Sequence, residues 1–138
     1  MIILDTNVLS ALMRPEPEAV VVKWLDQQPR SSIWTTSITL MEIRYGIQIM
    51  PAGRRSERLA ELELVLREEF AERCLVFDIV AAERSAQLMA LRKIRGRPVD
   101  LRDTLIAGIA LANRATLATR NISHFEDLTV PVISPWSA

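Results

Sequence analysis

Three acids stand where an apolar run gives way to a helical pattern, and a site built on them would be an oxygen-donor site. Asp5 follows Met-Ile-Ile-Leu; Glu42 closes Thr-Ser-Ile-Thr-Leu-Met-Glu42; Asp103 opens Asp103-Thr-Leu-Ile-Ala-Gly-Ile-Ala. Carboxylate oxygens suit a hard divalent cation such as Mg²⁺, which keeps several waters and is commonly held by one or two carboxylates and a phosphate. One cysteine and one histidine in the whole chain form no cluster that would favour zinc. Each acid also has a plain structural reading. Asp5 suits a helix N-cap, and Asp103 in a first turn is favoured by the helix dipole. Glu42 sits beside a stripe of Ile38, Met41 and Tyr45, where a solvated acid flanking a buried face is the ordinary case. A functional site requires the three to converge.

The elements that would bring them together are short apolar runs alternating with helical patterns. The runs Ile2–Leu4, Ile33–Thr36, Cys74–Phe77, Thr116–Thr119 and Val130–Ile133 are continuous rather than alternating, as for strands covered on both faces. Helical segments fall at about Val8–Met13, Pro17–Gln27, Ser37–Met50, Arg55–Glu72, Ile79–Arg95 and Arg102–Asn113. This alternation predicts an α/β fold, a central parallel sheet of about five strands flanked by helices, with Pro131 placing the last strand at an edge. Ligands of such sheets collect at the carboxyl ends of the strands, which is where Asp5 falls.

Finer expectations follow. Ser37 and Asp78 are candidate N-caps. Gly46 inside a helix costs about 1 kcal/mol relative to Ala, which predicts a close backbone approach. The helix after Asp103 is so apolar that burial all round is expected. Gly53-Arg54-Arg55 and Gly96-Arg97-Pro98 read as loops, Asp100 and Arg102 as solvated loop charges, and Arg55–Glu72 as a helix packed on the core.

The 138 residues suffice for one domain, 1–138, and 49% hydrophobic residues argue for a real core. No apolar run approaches the ~20 residues of a membrane span, and the start lacks a signal peptide's basic region. With a lone cysteine, Cys74, these features point to a cytoplasmic protein. Seventeen basic and seventeen acidic residues cancel, so no bulk electrostatic grip on nucleic acid is visible. The basic side is nearly all arginine, suited to phosphate or carboxylate alike.

The chain resembles the PIN-domain nucleases, in particular the toxin halves of the bacterial VapB–VapC and FitA–FitB toxin–antitoxin pairs. The matching pieces are Leu-Asp5-Thr6-Asn7-Val-Leu-Ser, Thr-Leu-Met-Glu42-Ile-Arg-Tyr-Gly46-Ile, Gly96-Arg-Pro with Asp103-Thr-Leu-Ile-Ala-Gly, Leu-Ala-Thr119-Arg-Asn121 with His124-Phe125, and the closing Val-Ile-Ser-Pro135-Trp136. They span nearly the whole chain in order; each is weak alone, and together they are specific. The resemblance implies a single PIN-like domain and an endoribonuclease using Mg²⁺, or Mn²⁺, held by Asp5, Glu42 and Asp103. It implies RNA as substrate, a cognate VapB- or FitA-like antitoxin, and a homodimer or larger homo-oligomer. The family commonly carries a fourth acid at the position of Asn121 or three residues on, where this chain has His124. Asn121 could offer an amide oxygen or hold a water, and joins the candidate catalytic residues. Thr6, Asn7 and Thr119 are candidates for support: the two threonines for bonds to water or phosphate, or for local backbone bonds. His124 reads more simply as a loop residue packed against a strand end than as a base.

Two other functions fit parts of the pattern. One is a catalytically silent interaction module that retains the fold, since fold does not fix function. The other is an aspartyl phosphotransfer enzyme, which would ordinarily carry a second acid two residues after the first, where Asn7 stands.

Overall fold

The computed structural model describes residues 1–137. Five strands form one parallel sheet in the order β3-β2-β1-β4-β5, with β1 (Ile2–Leu4) at its centre. β2 is Ile33–Thr36, β3 Cys74–Leu75, β4 Thr116–Ala118 and β5 Val132–Ile133. The order reverses on either side of β1, which opens a crevice at the strand carboxyl ends. β5 is an edge strand, as Pro131 required; Pro131 uses only its carbonyl, which accepts from Leu117 N at 2.9 Å. β3 and β5 are shorter than their apolar runs, because only two residues of each find a ladder partner.

Six helices connect the strands: α1 Thr6–Met13, α2 Ala19–Asp26, α3 Ser37–Gln48, α4 Ala52–Glu69, α5 Ile79–Ile94 and α6 Leu101–Asn113. Two core clusters cover the sheet. Ile3, Leu117, Ile106, Ile109 and Phe125 centre one, packed with α5 and α6; Leu4, Val8, Leu9, Val21 and Trp24 centre the other, packed with α1 and α2. α6 is buried from Thr104 to Ala110 except for the half-buried Leu105, the all-round burial its sequence predicts.

Several local expectations are corrected. Thr36, not Ser37, caps α3, its hydroxyl accepting from Thr39 N at 3.1 Å; Ser37 Oγ accepts from Phe77 N at 3.2 Å and ties α3 to the end of β3. Asp78 caps α5 as predicted, accepting from Ala81 N at 2.9 Å. Gly53, Arg54 and Arg55 lie inside α4 rather than in a loop, since Pro51 supplies a chain entry and the helix starts at once. α4 packs on the core as expected, but through few residues: Leu62 is fully buried and Val65 partly, while most of the helix faces outward. Gly46 meets no close neighbour; the glycine of close approach is Gly108. A Cβ there would stand 1.9 Å from Ser85 Oγ and 2.7 Å from the Ala81 carbonyl, so Gly108 lets α5 and α6 touch. At the predicted turn, Gly96 has φ +68°, a conformation that favours glycine.

Candidate active site

Asp5 is both the last residue laddered to β4 and the cap of α1. Its N–H donates to Ala118 O at 2.9 Å, and its carbonyl accepts from Val8 N and Leu9 N. Its side chain is 3% exposed and receives two bonds: Oδ1 from Thr6 N at 2.8 Å, and Oδ2 from Thr119 Oγ1 at 2.7 Å. The capping reading is therefore correct, yet it leaves a carboxylate buried at the carboxyl edge of the sheet, with no ion pair to a basic side chain among the described residues. Burial pushes its pKa up to about 6, against the opposing bonds from Thr119 and Thr6, and the nearby charges of Asp103 and Glu42 push the same way.

Glu42 lies in the second turn of α3, the helix that Thr36 caps. Its Oε1 accepts from Thr6 Oγ1 at 2.8 Å, and Thr6 Oγ1 lies 3.1 Å from Thr39 Oγ1. The stripe beside it is not buried as a whole. Ile38 is in the core, but Met41 is 50% and Tyr45 62% exposed. The core-facing row of α3 runs instead through Thr39, Ile43 and Ile47, four residues apart, which turns Glu42 toward α1. Glu42 is thus largely enclosed, with 18% of its side chain exposed, and is not a solvated surface acid.

Asp103 lies in the first turn of α6, as predicted. Its Oδ2 is 2.9 Å from His124 Nδ1, so His124 pairs with the candidate acid rather than packing against a strand end. His124 and Asn121 reach this place on a 3-10 turn, Ile122–Phe125, which follows β4. Arg92 anchors that turn from beneath. Its guanidinium is 3% exposed, bonds both Asp127 oxygens at 2.8 and 2.9 Å, and donates to Thr104 Oγ1 and to the His124 carbonyl.

Asp100 and Arg102 are not free loop charges. Asp100 caps α6, accepting from Arg102 N at 2.8 Å, and Arg102 lies 3.6 Å from Glu42 Oε2. Among the supporting candidates, Thr6 and Thr119 bond the carboxylates themselves, and Thr119 Oγ1 also accepts from Asn121 N at 3.1 Å. Asn7 Oδ1 accepts from Arg120 N at 3.3 Å, tying the start of α1 to the segment after β4.

One cleft is lined by Asp5, Thr6, Asn7, Glu42, Asp103 and Asn121, together with Ser10, Arg14, Arg120 and Trp136. The last four were not site candidates in the sequence; only the contacts of the folded chain bring them there. Among the described residues no three His, Cys, Asp or Glu side chains stand close enough to grip a single bare ion. Carboxylate oxygens are the donors a hard cation takes, and such an ion keeps several waters and needs few direct protein ligands.

The family model for the PIN domain matches residues 2–129. The chain belongs to the PIN-domain family. This PIN domain is 44% identical to the plasmid stability protein StbB of Pseudomonas syringae pv. tomato, with all of both chains covered. It is 39% identical to the VapC ribonuclease Y4jK of Sinorhizobium fredii, covering 99% of this chain and 98% of that one. It is 36% identical to the toxin FitB of Neisseria gonorrhoeae, covering 99% of each. The crystal structure of FitAcB from Neisseria gonorrhoeae superposes with a TM-score of 0.91 at 34% identity, with both chains fully covered. The PIN fold expected from the motifs, a central parallel sheet with flanking helices, is the fold found.

Proposed function

We propose that this PIN domain is a divalent-cation-dependent endoribonuclease, the toxin of a toxin–antitoxin pair, with Asp5, Glu42 and Asp103 as its acids and Mg²⁺ or Mn²⁺ as its ion. The observation that carries the reading is the convergence of three carboxylates from β1, α3 and α6 in one cleft, with the innermost, Asp5, buried and uncompensated. A buried carboxylate calls for a partner. The ribonuclease and toxin names of relatives aligned over nearly their full length support the activity and the role.

The protein's own groups divide the work. Thr119 and Thr6 fix both oxygens of Asp5, Thr6 and Arg102 flank Glu42, and His124 holds Asp103. Positioning of this kind lowers a barrier because the groups need no rearrangement at the moment of reaction. When bound, the cation would neutralise charge at the phosphate and leaving oxygen and make water more acidic. Asn121, beside the cleft with its side chain exposed, would orient water through its amide.

Cleavage of an RNA in Mg²⁺ or Mn²⁺ tests the reading. Turnover abolished by chelation and by Asp5→Asn is expected; a folded Asp5→Asn protein with wild-type turnover would remove Asp5 from the mechanism. Asn121 and His124, neither of them an acid, stand at the places where the family commonly carries a fourth acid, and favour one second reading, a silent interaction module. That module would bind Mn²⁺ poorly and leave RNA intact.

The proposed partners are a VapB- or FitA-like antitoxin and a second copy of the chain. Exposed apolar side chains such as Met41 and Tyr45 on α3, Ile49 just beyond its end and Ile79 on α5 offer surface for such contacts. Co-expression with the neighbouring small gene should relieve growth arrest. Absence of both arrest and rescue would count against the toxin role.

A further inference from the structure

Part of the cleft wall is built around a guanidinium. Arg120 directly follows Thr119, the residue whose hydroxyl holds Asp5, and its own N–H is pinned to Asn7. Its guanidinium carbon lies 4.9 Å from the centre of the Trp136 ring. Trp136 is held in turn by its indole N–H, which donates to Glu18. Glu18 also pairs with Arg14 at 2.9 Å and stands 4.0 Å from Arg120. Among the described residues no acceptor lies within hydrogen-bond distance of the Arg120 guanidinium, and its side chain is 57% exposed.

One carboxylate, Glu18, thus faces two guanidiniums, which leaves a local positive surplus in a chain whose net charge is zero. The three acids lie elsewhere in the same cleft. A phosphodiester chain carries one charge per nucleotide, so a cleft lined by both acids for an ion and guanidiniums can take two neighbouring phosphates. A planar guanidinium matches phosphate bidentately, and stacking on an indole restricts it before the ligand arrives.

We infer that Arg120, with Arg14 as a second cation, forms a subsite for the backbone phosphate next to the one to be cut in single-stranded RNA. Trp136 and Glu18 are positioning residues: Trp136 carries the guanidinium plane, and Glu18 fixes the indole. The inference rests on the ribonuclease reading and extends it to how RNA is held.

The experiment measures binding of a short fluorescein-labelled oligouridine by anisotropy, in EDTA so that nothing is cut, across a range of salt. Arg120→Ala is expected to weaken binding roughly tenfold, as for the loss of one charged hydrogen-bonded contact. It should also flatten the dependence of log affinity on log salt by about 0.7, the share of one phosphate on a single strand. Arg120→Lys should restore the slope but not the full affinity, because it returns the charge without the planar fork. Trp136→Phe, which loses the bond to Glu18, should weaken binding in wild-type Arg120 and add little in Arg120→Ala. A purely structural role would lower the melting temperature and leave the salt slope alone. Should Arg120→Ala melt early, Arg120→Gln repeats the measurement with the side-chain stem kept. Unchanged affinity and slope in a folded Arg120 variant, with wild-type RNA cleavage in Mn²⁺, would overturn the subsite and leave the ribonuclease reading standing. A wild-type protein that neither binds nor cuts RNA would overturn both.

Discussion

Thr119 donates its hydroxyl to Asp5 Oδ2 across 2.7 Å, joining the ends of two neighbouring strands whose residues are 114 apart in the chain. Thr119 Oγ1 also accepts from Asn121 N, so one side chain links the buried acid to the turn that carries Asn121 and His124. Thr119→Val keeps the shape and removes the bond that opposes the rise in the Asp5 pKa. The acid limb of the pH–rate profile for RNA cleavage should move to higher pH. Stability should fall by about 1 kcal/mol, read by urea denaturation.

Asp5 itself should be costly to the folded chain. Its pKa is raised from 3.8 to about 6, so the native state binds the proton more tightly than the unfolded state does. Stability is therefore highest below the unfolded value, falls as pH rises between the two, and is lowest above the folded one. The full cost is about 3 kcal/mol at 1.36 kcal/mol per pH unit. Asp5→Asn should raise the melting temperature at neutral pH and lose that advantage near the acid end of the range, while abolishing turnover.

The same cost predicts the response to ions. Mg²⁺ or Mn²⁺ at neutral pH should raise the melting temperature of the wild-type protein in the absence of any RNA, since a ligand that binds only the native state stabilises it. Asp5→Asn should show a much smaller rise. Equal shifts in the two proteins would mean that the ion binds elsewhere.

Gly108→Ala should be among the most damaging single-methyl changes in the chain. Ser85 Oγ could rotate away from the new Cβ, but the Ala81 carbonyl at 2.7 Å is backbone, so α5 and α6 must move apart. A loss of about 1–3 kcal/mol is expected, and Ser85→Ala in the same chain should recover only part of it, as denaturation curves of the single and double variants would show.

Arg92→Met should loosen the acid-bearing end of the cleft from a distance. It leaves Asp127 without its guanidinium and the His124 carbonyl without a donor. Breaking a buried pair on one side typically costs 3–5 kcal/mol; Asp127 keeps 16% exposure, which favours about 3 kcal/mol. Hydrogen exchange should rise first in Ile122–Phe125.

What the sequence made legible was set by local chemistry. Ile2–Leu4 followed by Asp5 announces a buried strand and its cap, and the apolar run after Asp103 announces a buried helix. The errors lie where a helix's rotation decides the outcome. Ile38, Met41 and Tyr45 make a stripe as regular as Thr39, Ile43 and Ile47, and only the position of α1 and the sheet selects the second as the inner row. His124 and Arg102 depended likewise on partners 21 and 60 residues away in sequence, Asp103 and Glu42 respectively, which no local pattern reveals. Arg120 and Trp136 were visible only as members of a motif, with no signal that they would stack.

The central place of β1 also sets a timetable for synthesis. Its strand partners are β2, finished at Thr36, and β4, which starts only at Thr116. A growing polypeptide therefore holds Asp5 and Glu42 for most of its birth without the residues that complete their enclosure. Whatever the cleft does therefore waits on Asp103 and on the strand that begins at Thr116, about a hundred residues after Asp5 has been made.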